Sequence, residues 1–470
     1  MKPQYRLSCT SCGSTIAEVQ PTIKCPKCGG FMEYVFDGDY LRTIEFKGPF
    51  TFWRYRPVFP QVPAPISLGE GGTPLHKANR LGDALHLDNL LLKDETRNPT
   101  NSFKDRSASL IVSDAVGKGF DALVCATNGN QGASLAAYSA AANIACHLVV
   151  PRALDIGKLA QMIAYDAHVE EANDSIEEAI DRAVRLAEES HLYQATTELN
   201  PLTVEALKTI PFELHEQAPV PDWVIVAMGS GVTIHAVWKG YRELEEMGAI
   251  VRKPRLVGVQ AKGCAPIAEA FTREEDSPVD VGKAETVAAA IGVAKPIFGG
   301  AALKAIRESN GFAVSVADEE MLMAEREIAR LEGVYAEPAS AATVACLRRL
   351  QEDGVIRRND SVVSLITSSG LKTDDILRSL SRRRKTVGLG ASLATKERIL
   401  RIVQSRKTYG YDLWESMGKS MTLGAIYQHL ADLENRGLVA SHTEGKRRYL
   451  EITERGRRVL GALDELQDLL

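Results

Sequence analysis

The stretch ALVCATNGN at residues 122–130 decides the fold, because a short apolar run passes directly into a turn of asparagine and glycine. The same order returns at residues 223–231, where WVIVAM precedes GSG, and at residues 362–370, where VVSLI precedes TSSG. Apolar strands that alternate with helical stretches predict a parallel sheet with helices on both faces, and such sheets bind ligands where the strand C-termini open into loops. We therefore predict an α/β body over residues 46–380 and expect its functional site at these three turns.

The composition is that of a soluble globular protein. The chain has 470 residues, which is enough for about three domains. Hydrophobic residues make up 45% and charged residues 25%, with a net charge of -5, so the composition excludes a disordered chain. The opening residues 1–6 lead into a cysteine pair without an apolar signal segment. We expect a cytoplasmic protein with no membrane segment.

Four cysteines form two Cys-x-x-Cys pairs near the start of the chain, Cys9 with Cys12 and Cys25 with Cys28. Two such turns supply the four thiolates of a tetrahedral zinc site, and four protein ligands leave no position for a catalytic water. So short a segment has too small a core to fold unaided, and a bound metal would supply much of its stability. We predict a zinc ribbon with structural zinc over residues 1–45. The alternative is two free or redox-active cysteine pairs.

Lys104 stands in the segment NPTNSFKDR at residues 98–106. This segment resembles the lysine motif of the threonine-synthase branch of the fold-type II pyridoxal-phosphate (PLP) enzymes, with Asn101 where the family has glycine. The resemblance implies that Lys104 forms a Schiff base with the PLP aldehyde and then shuttles protons. It also implies a tryptophan-synthase-β-like body of two α/β subdomains.

Further motifs follow in the order of that family. In the segment at residues 126–134 the resemblance assigns Asn130 to the pyridine 3-hydroxyl, and Thr367 takes the place of the residue that meets the pyridine nitrogen. The stretch at residues 337–342 is also family-like, and we expect a structural role for it as readily as a catalytic one. A glycine-rich loop between a strand and a helix suits a phosphate, because backbone N–H groups and the helix N-terminus favour an anion. The loop that resembles the PLP phosphate cradle comprises Gly229, Ser230, Gly231, Val232 and Thr233.

The resemblance implies a reaction as well. O-phospho-L-homoserine and water would give L-threonine and phosphate, with Lys104 as the main base and acid. Two positions depart from the family: Thr203 stands where many members have the arginine that suits a substrate phosphate, and Asn128 changes the asparagine loop. Two alternatives stay open, namely β-replacement on O-phosphoserine, as in cysteate synthases, and deamination of threonine or serine. The family-like stretches at residues 157–161 and 208–210 favour the threonine-synthase reaction over these two alternatives.

From residue 381 the chain turns basic. Residues 381–470 carry 17 Lys and Arg against 11 Asp and Glu, a net charge of +6, whereas the preceding residues carry -11. Such asymmetry permits nucleic-acid binding without requiring it. The break falls in the run SRRRK at residues 381–385, and we expect a separate domain over residues 385–470.

The pattern of this C-terminal domain is helix, helix and hairpin. The inward face of its second helix should comprise Leu423, Ile426, Tyr427, Leu430 and Leu433. Strands near residues 438–440 and 448–453 flank a basic tip. The order resembles the winged helix of PadR and MarR-like regulators, whose second helix enters the major groove of DNA. The candidate phosphate contacts are Lys446, Arg447 and Arg448; a solvated wing is the alternative.

Two classes of function therefore compete. The first is a PLP lyase that acts on a phosphorylated amino acid and carries the ribbon and the winged helix as accessories. The second is a DNA-binding regulator whose PLP-fold body serves as a sensor. Retention of Lys104 favours the first, because a sensor does not need a proton-transfer lysine. We expect a homodimer by analogy with both families; a dimer contact or amino-acid-linked regulation are alternative roles for the winged helix.

Overall fold

A computed structural model gives the structure of the chain. It describes residues 4–10, 12–16, 24–152, 154–172, 175–373, 388–418, 422–444 and 447–468. The chain forms two compact units, Met1–Asp374 and Asp375–Leu470. Within the described ranges, no helix has both the length and the apolar character needed to cross a membrane.

The first unit contains thirteen strands and thirteen α-helices among its described residues. Its strands are β1 (Tyr5–Cys9), β2 (Thr15–Ile16), β3 (Met32–Phe36), β4 (Leu75–Lys77), β5 (Asn89–Asp94), β6 (Ala122–Ala126), β7 (Ala145–Val150), β8 (His168–Glu171), β9 (Tyr193–Gln194), β10 (Trp223–Ala227), β11 (Arg255–Ala261), β12 (Phe312–Val316) and β13 (Ser361–Ile366). Its helices are α1 (Gly38–Leu41), α2 (Asn79–Leu85), α3 (Lys104–Gly117), α4 (Asn130–Ala142), α5 (Ile156–Ala164), α6 (Ile176–Glu189), α7 (Leu202–Leu207), α8 (Thr209–Gln217), α9 (Val232–Glu246), α10 (Pro266–Thr272), α11 (Gly299–Glu308), α12 (Asp318–Glu332) and α13 (Pro338–Glu352).

Two mainly parallel sheets form the body of this unit. The larger has the strand order β12-β11-β10-β13-β5-β4, and all its neighbours are parallel except β4, which runs antiparallel to β5. The smaller has the order β8-β7-β6-β9 and is entirely parallel. Every residue of β10 is buried, as expected for a strand covered by helices on both faces. The predicted α/β architecture is confirmed, and the three predicted strands are β6, β10 and β13.

The first three strands form a separate antiparallel sheet in the order β2-β1-β3. Cys9 ends β1 and pairs with Met32 at the start of β3. The turns that carry the cysteine pairs therefore lie at one end of this sheet, which we call the ribbon.

A buried ion cluster ties distant parts of the body together. Lys93 on β5 and Arg106 on α3 both contact the Glu213 carboxylate on α8, at 2.7 and 2.5 Å. Arg106 also contacts Glu95 at 2.7 Å, and all four side chains are fully buried. Glu213 further accepts a hydrogen bond from the Gly72 N–H at 2.9 Å. The cluster thus anchors the start of α3, where Lys104 lies, to three other segments.

The second unit is a small α/β module. Its strands are β14 (Thr408–Tyr409), β15 (Val439–Glu444) and β16 (Arg447–Ile452), in the antiparallel order β14-β16-β15. Its helices are α14 (Gly388–Ser405), α15 (Gly410–Ser416), α16 (Leu423–Asn435) and α17 (Glu454–Asp468). The Thr422 hydroxyl caps α16 by accepting a hydrogen bond from the Ala425 N–H at 3.2 Å. The predicted order of helix, helix and hairpin is thus present.

One predicted core position of α16 is wrong. Ile426, Leu430 and Leu433 are buried, but the Tyr427 side chain is 52% exposed and lies against Gly410. Because one helical step turns a side chain by roughly 100°, the neighbour of a fully inward residue points well away from the core. At the hairpin tip, Gly445 and Lys446 lie outside the described residues.

Candidate active site

A pocket of about 370 Å³ opens between the two sheets of the body. It receives the ends of β6, β10 and β13, so the three turns singled out in the sequence meet in one place. The predicted site residues that line it are Lys104, Asn130, Gly229, Ser230, Gly231, Val232, Thr233 and Thr367. Asn128 lines it as well, whereas Thr203 lies outside the lining and is fully buried.

Lys104 is the first residue of α3, and its ammonium points into the pocket. Its Nζ lies 3.4 Å from the Thr197 hydroxyl oxygen. Burial lowers the pKa of Lys104, and the nearby Glu198 carboxylate opposes that effect. A lysine with a lowered pKa carries more of the neutral amine that attacks a carbonyl.

The loop before α3 fixes the direction of that lysine. The Asp105 carboxylate accepts hydrogen bonds from the Thr100 N–H at 2.7 Å and the Thr100 hydroxyl at 2.6 Å. Asn101 has a φ of 60°, a left-handed conformation that glycine and asparagine tolerate best. Asparagine can therefore stand where the resembling family has glycine. The Phe103 N–H donates to the Thr367 carbonyl at 2.9 Å and joins the loop to the end of β13.

The loop between β10 and α9 has the form of an anion cradle. Gly231 has a φ of 90°, and a Cβ there would lie 2.8 Å from the Phe298 carbonyl oxygen. A Cβ on Gly229 would lie 3.2 Å from the Ala290 carbonyl oxygen. A side chain is therefore excluded at Gly231 and crowded at Gly229, and the first backbone N–H groups of α9, a 15-residue helix, are left to bind a phosphate. We call residues 229–233 the cradle.

Asn130 and Thr367 are held by neighbouring polar groups. The Asn130 amide donates to both oxygens of Glu337, at 2.9 and 3.1 Å, and its oxygen accepts from the Ser368 hydroxyl at 3.2 Å. The Thr367 and Ser340 hydroxyl oxygens lie 2.8 Å apart. Glu337 lines the pocket and also lies 3.4 Å from the Lys158 ammonium. Both polar groups are therefore fixed in place at the pocket wall.

Several lining residues were not predicted from the sequence. Thr197 and Glu198 follow β9, and the rule that sites form after strand C-termini could have indicated them. Lys295 lies in the connection between α10 and α11, and no motif marks it. In the part of the chain that the structure describes, Lys104 and Lys295 are the two cationic side chains that line the pocket.

The four ribbon cysteines come together as predicted. Their Sγ atoms all lie within 4.8 Å of one another, with Cys9 and Cys28 at 3.5 Å and Cys12 and Cys25 at 3.8 Å. A tetrahedral zinc ion with Zn–S bonds of about 2.3 Å separates its sulfurs by about 3.8 Å. The donor set and its spacing therefore fit zinc.

Comparison of the sequence with known proteins agrees with this geometry. Residues 66–368 match the family model for pyridoxal-phosphate dependent enzymes. The chain is 38% identical to a threonine synthase of Methanocaldococcus jannaschii, over 78% of this chain and 93% of that protein. It is 36% identical to a threonine synthase of Methanosarcina acetivorans (78% and 92%) and 37% identical to one of Mycobacterium tuberculosis (66% and 84%).

Solved structures resemble the body at lower sequence identity. Maize serine racemase has a TM-score of 0.57 at 20% identity, covering 67% of this chain and 92% of its own. The processed form of threonine deaminase isoform 2 from Solanum lycopersicum has a TM-score of 0.56 at 20% identity, covering 66% and 87%. The predicted fold-type II PLP-enzyme body is thereby confirmed. Residues 399–462 match the family model for PadR-like transcriptional regulators, which agrees with the predicted winged-helix appendage.

Proposed function

The chain belongs to the threonine synthase family of the pyridoxal-phosphate-dependent enzymes, and we propose that it converts O-phospho-L-homoserine and water to L-threonine and phosphate. One observation carries the proposal: Lys104, the cradle and Thr367 line one pocket in a chain that spans 93% of the M. jannaschii threonine synthase. The pocket holds about 370 Å³, enough for a small amino acid beside a cofactor ring.

PLP, when bound, supplies an aldehyde for an amine and a conjugated ring that accepts electron density from a deprotonated carbon. The residues that would hold it are the cradle at its phosphate, Asn130 at its 3-hydroxyl and Thr367 at its ring nitrogen. A hydroxyl at that nitrogen, unlike a carboxylate, does not stabilise a full pyridinium, so the electron demand of the ring is moderated.

Lys104 is the residue that attaches the cofactor and then moves protons. The reaction needs removal of the Cα proton and then a Cβ proton, loss of phosphate from Cγ, addition of water at Cβ, and return of protons to Cγ and Cα. The lowered pKa of Lys104 suits a group that must both accept and donate a proton near neutral pH. The Thr197 hydroxyl, 3.4 Å from its Nζ, orients the amine.

Lys295 is our candidate for the substrate phosphate. Thr203 is fully buried away from the pocket lining, so the position where relatives of this type carry arginine offers no contact. Lys295 and Glu177 of α6 both line the pocket, and the backbone N–H of Lys295 donates to a Glu177 carboxylate oxygen at 3.2 Å. Among the described residues, its side chain and that of Lys104 are the two cations that line the pocket, so Lys295 can serve as the partner of a dianionic group.

The test is a turnover assay with the purified full chain. Incubation with O-phospho-L-homoserine should release phosphate and L-threonine in equal amounts, and Lys104→Ala should release neither. Parallel reactions with O-phosphoserine plus sulfite, with threonine and with serine separate the alternatives. Turnover in one of these instead of the first reaction would overturn the choice of substrate while leaving the cofactor assignment in place.

Three accompanying features belong to the proposal. Zinc occupies the Cys9, Cys12, Cys25 and Cys28 site, as the spacing of the four sulfurs supports. The protein acts as a homodimer in the cytoplasm, by analogy with its relatives. Elemental analysis would test the metal, and light scattering of the purified protein would test the dimer.

A second candidate function is DNA binding by residues 399–462, which the PadR-like match favours. The exposed Tyr427 on α16 suits contact with a groove. Arg448, a predicted phosphate contact, instead contacts Glu434 at 2.8 Å, so it is less suited to that role. Fluorescence anisotropy tests DNA binding, with labelled fragments of the promoter DNA upstream of the gene for this chain and at several salt concentrations. Salt-sensitive binding with no turnover of any amino acid would favour the sensor alternative.

A further inference from the structure

The ribbon packs against the outer side of the cradle. The Phe31 ring, three residues after Cys28, stacks on the Phe298 ring with centroids 4.7 Å apart and planes at 20°. The Phe31 carbonyl accepts a hydrogen bond from the Thr10 N–H at 2.8 Å, and Thr10 follows Cys9. Phe31 is therefore held between the two cysteine pairs, and its position depends on the geometry of both.

Phe298 touches the cradle itself. Its N–H donates to the Ser230 carbonyl at 2.9 Å. Its carbonyl oxygen lies against Gly231, where a Cβ would approach it to 2.8 Å. Phe298 thus contacts the ribbon through its ring and two residues of the cradle through its backbone.

A second contact runs to the helix that the cradle begins. The Glu33 carboxylate on β3 contacts the His235 ring nitrogen Nε2 on α9, and the backbone N–H of His235 donates to the Gly231 carbonyl at 3.3 Å. The His235 ring lies 5.8 Å from the Phe298 ring, so the two contacts adjoin. One turn further along α9, the Lys239 ammonium donates to the Tyr34 carbonyl of β3 at 2.5 Å.

We propose that Phe31 and Glu33 are positioning residues for the PLP phosphate, and that metal binding by the four ribbon cysteines and PLP binding by the cradle strengthen each other. A metal-loaded ribbon presents Phe31 and Glu33 at fixed positions, and these hold Phe298 and the first turn of α9 in the shape that receives a phosphate. Coupling between two sites is reciprocal, so bound PLP must raise the affinity for the metal by the same factor by which the metal raises the affinity for PLP. The inference rests on the proposed cofactor and does not depend on the amino-acid substrate.

The experiment measures PLP binding by the full chain without any turnover. PLP is titrated into cofactor-free protein and followed by its visible absorbance, for the zinc-loaded protein, the same protein after chelation, and the zinc-loaded variants Phe31→Leu and Glu33→Gln. The matched control is Phe36→Leu on the same ribbon strand, whose ring packs on Lys208, with its ammonium 4.4 Å away, and not on the cradle. Circular dichroism verifies that the body stays folded in each sample.

We expect the dissociation constant for PLP to rise at least about 5-fold on chelation, the lower end of usual coupling factors. It should rise in Phe31→Leu and Glu33→Gln and stay at the wild-type value in Phe36→Leu. Conversely, a chelator should remove zinc more slowly from the PLP-loaded protein. Equal PLP affinity in zinc-loaded and chelated protein would overturn the coupling, and an equal loss in Phe36→Leu would overturn the assigned contacts. Failure of the zinc-loaded wild type to bind PLP would refute the cofactor assignment itself.

Discussion

The Glu213 carboxylate should be among the most sensitive charges in the body. In its buried cluster two cations, Lys93 and Arg106, balance two anions, Glu213 and Glu95. The change Glu213→Gln keeps the shape of the side chain but leaves one buried cation without a counter-charge. We expect it to lower the free energy of unfolding by about 3–5 kcal/mol, the usual cost of removing one partner from a buried ion pair.

The pH dependence of this loss follows from Lys93. Burial already lowers the pKa of Lys93, and Glu213 is the largest opposing influence. In Glu213→Gln the pKa of Lys93 in the folded chain falls further below its value in the unfolded chain. Between these two pKa values Lys93 is protonated in the unfolded chain and neutral in the folded chain, and the variant widens this pH range. Stability rises with pH under that condition, so the deficit relative to wild type should shrink as the pH rises from the Lys93 pKa of the variant to the higher Lys93 pKa of the wild type.

Urea unfolding followed by tryptophan fluorescence, at several pH values, measures both effects. The control is Glu216→Gln on the same helix, whose side chain is 24% exposed and contacts Arg54 at 2.9 Å. A partly exposed pair of this kind is worth about 1 kcal/mol or less. A loss in Glu213→Gln no larger than in the control, or a deficit that grows as pH rises, would refute the charge balance.

Four further predictions concern the site. Borohydride reduction should leave PLP covalently attached to the peptide that contains Lys104 in the wild type and to no peptide of Lys104→Ala. Mass spectrometry of the digested protein measures this. Gly231→Ala should weaken PLP binding about 10-fold or more, because its φ of 90° and its contact with the Phe298 carbonyl strain any Cβ, whereas Gly300→Ala, with a contact of 3.5 Å, should titrate like the wild type. Lys295→Gln should raise KM for O-phosphohomoserine about 10-fold or more with little change in kcat, and an unchanged KM would exclude it as the phosphate contact. Burial raises the pKa of Asp105 from 3.8 to about 6, so between these pH values the folded chain binds more protons than the unfolded chain. The free energy of unfolding should therefore fall as pH rises through this interval. In Asp105→Asn this pH dependence should be weaker, as measured by thermal unfolding at several pH values.

The sequence was most informative where short motifs carry backbone constraints. The glycines of the cradle and the strand-to-turn pattern at residues 122–130 specify both a conformation and a place at the sheet edge, so their meeting in one pocket could be expected. Lys295 could not be foreseen, because it lies in the long connection between α10 and α11, which carries no motif that ties it to the pocket. Glu337 lies in a family-like stretch, but the sequence does not reveal that its carboxylate accepts a hydrogen bond from the Asn130 amide.

The structure also explains two departures from the family motif. Asn101 can stand in place of glycine, because it adopts the left-handed conformation of this position, which asparagine tolerates better than most residues. Thr203 replaces arginine in a buried place, where its hydroxyl finds no hydrogen-bond partner among the described residues. The boundaries predicted near residues 45 and 385 stay predictions.

The order of strands in the larger sheet has a consequence for synthesis on the ribosome. β13, the last strand of the body to be translated, occupies the gap between β5 and β10, which are separated by more than a hundred residues of chain. Until it emerges, β5 has no parallel neighbour, and the nascent chain exposes two unpaired strand edges that invite association. The larger sheet can therefore become continuous only after β13 has left the ribosome.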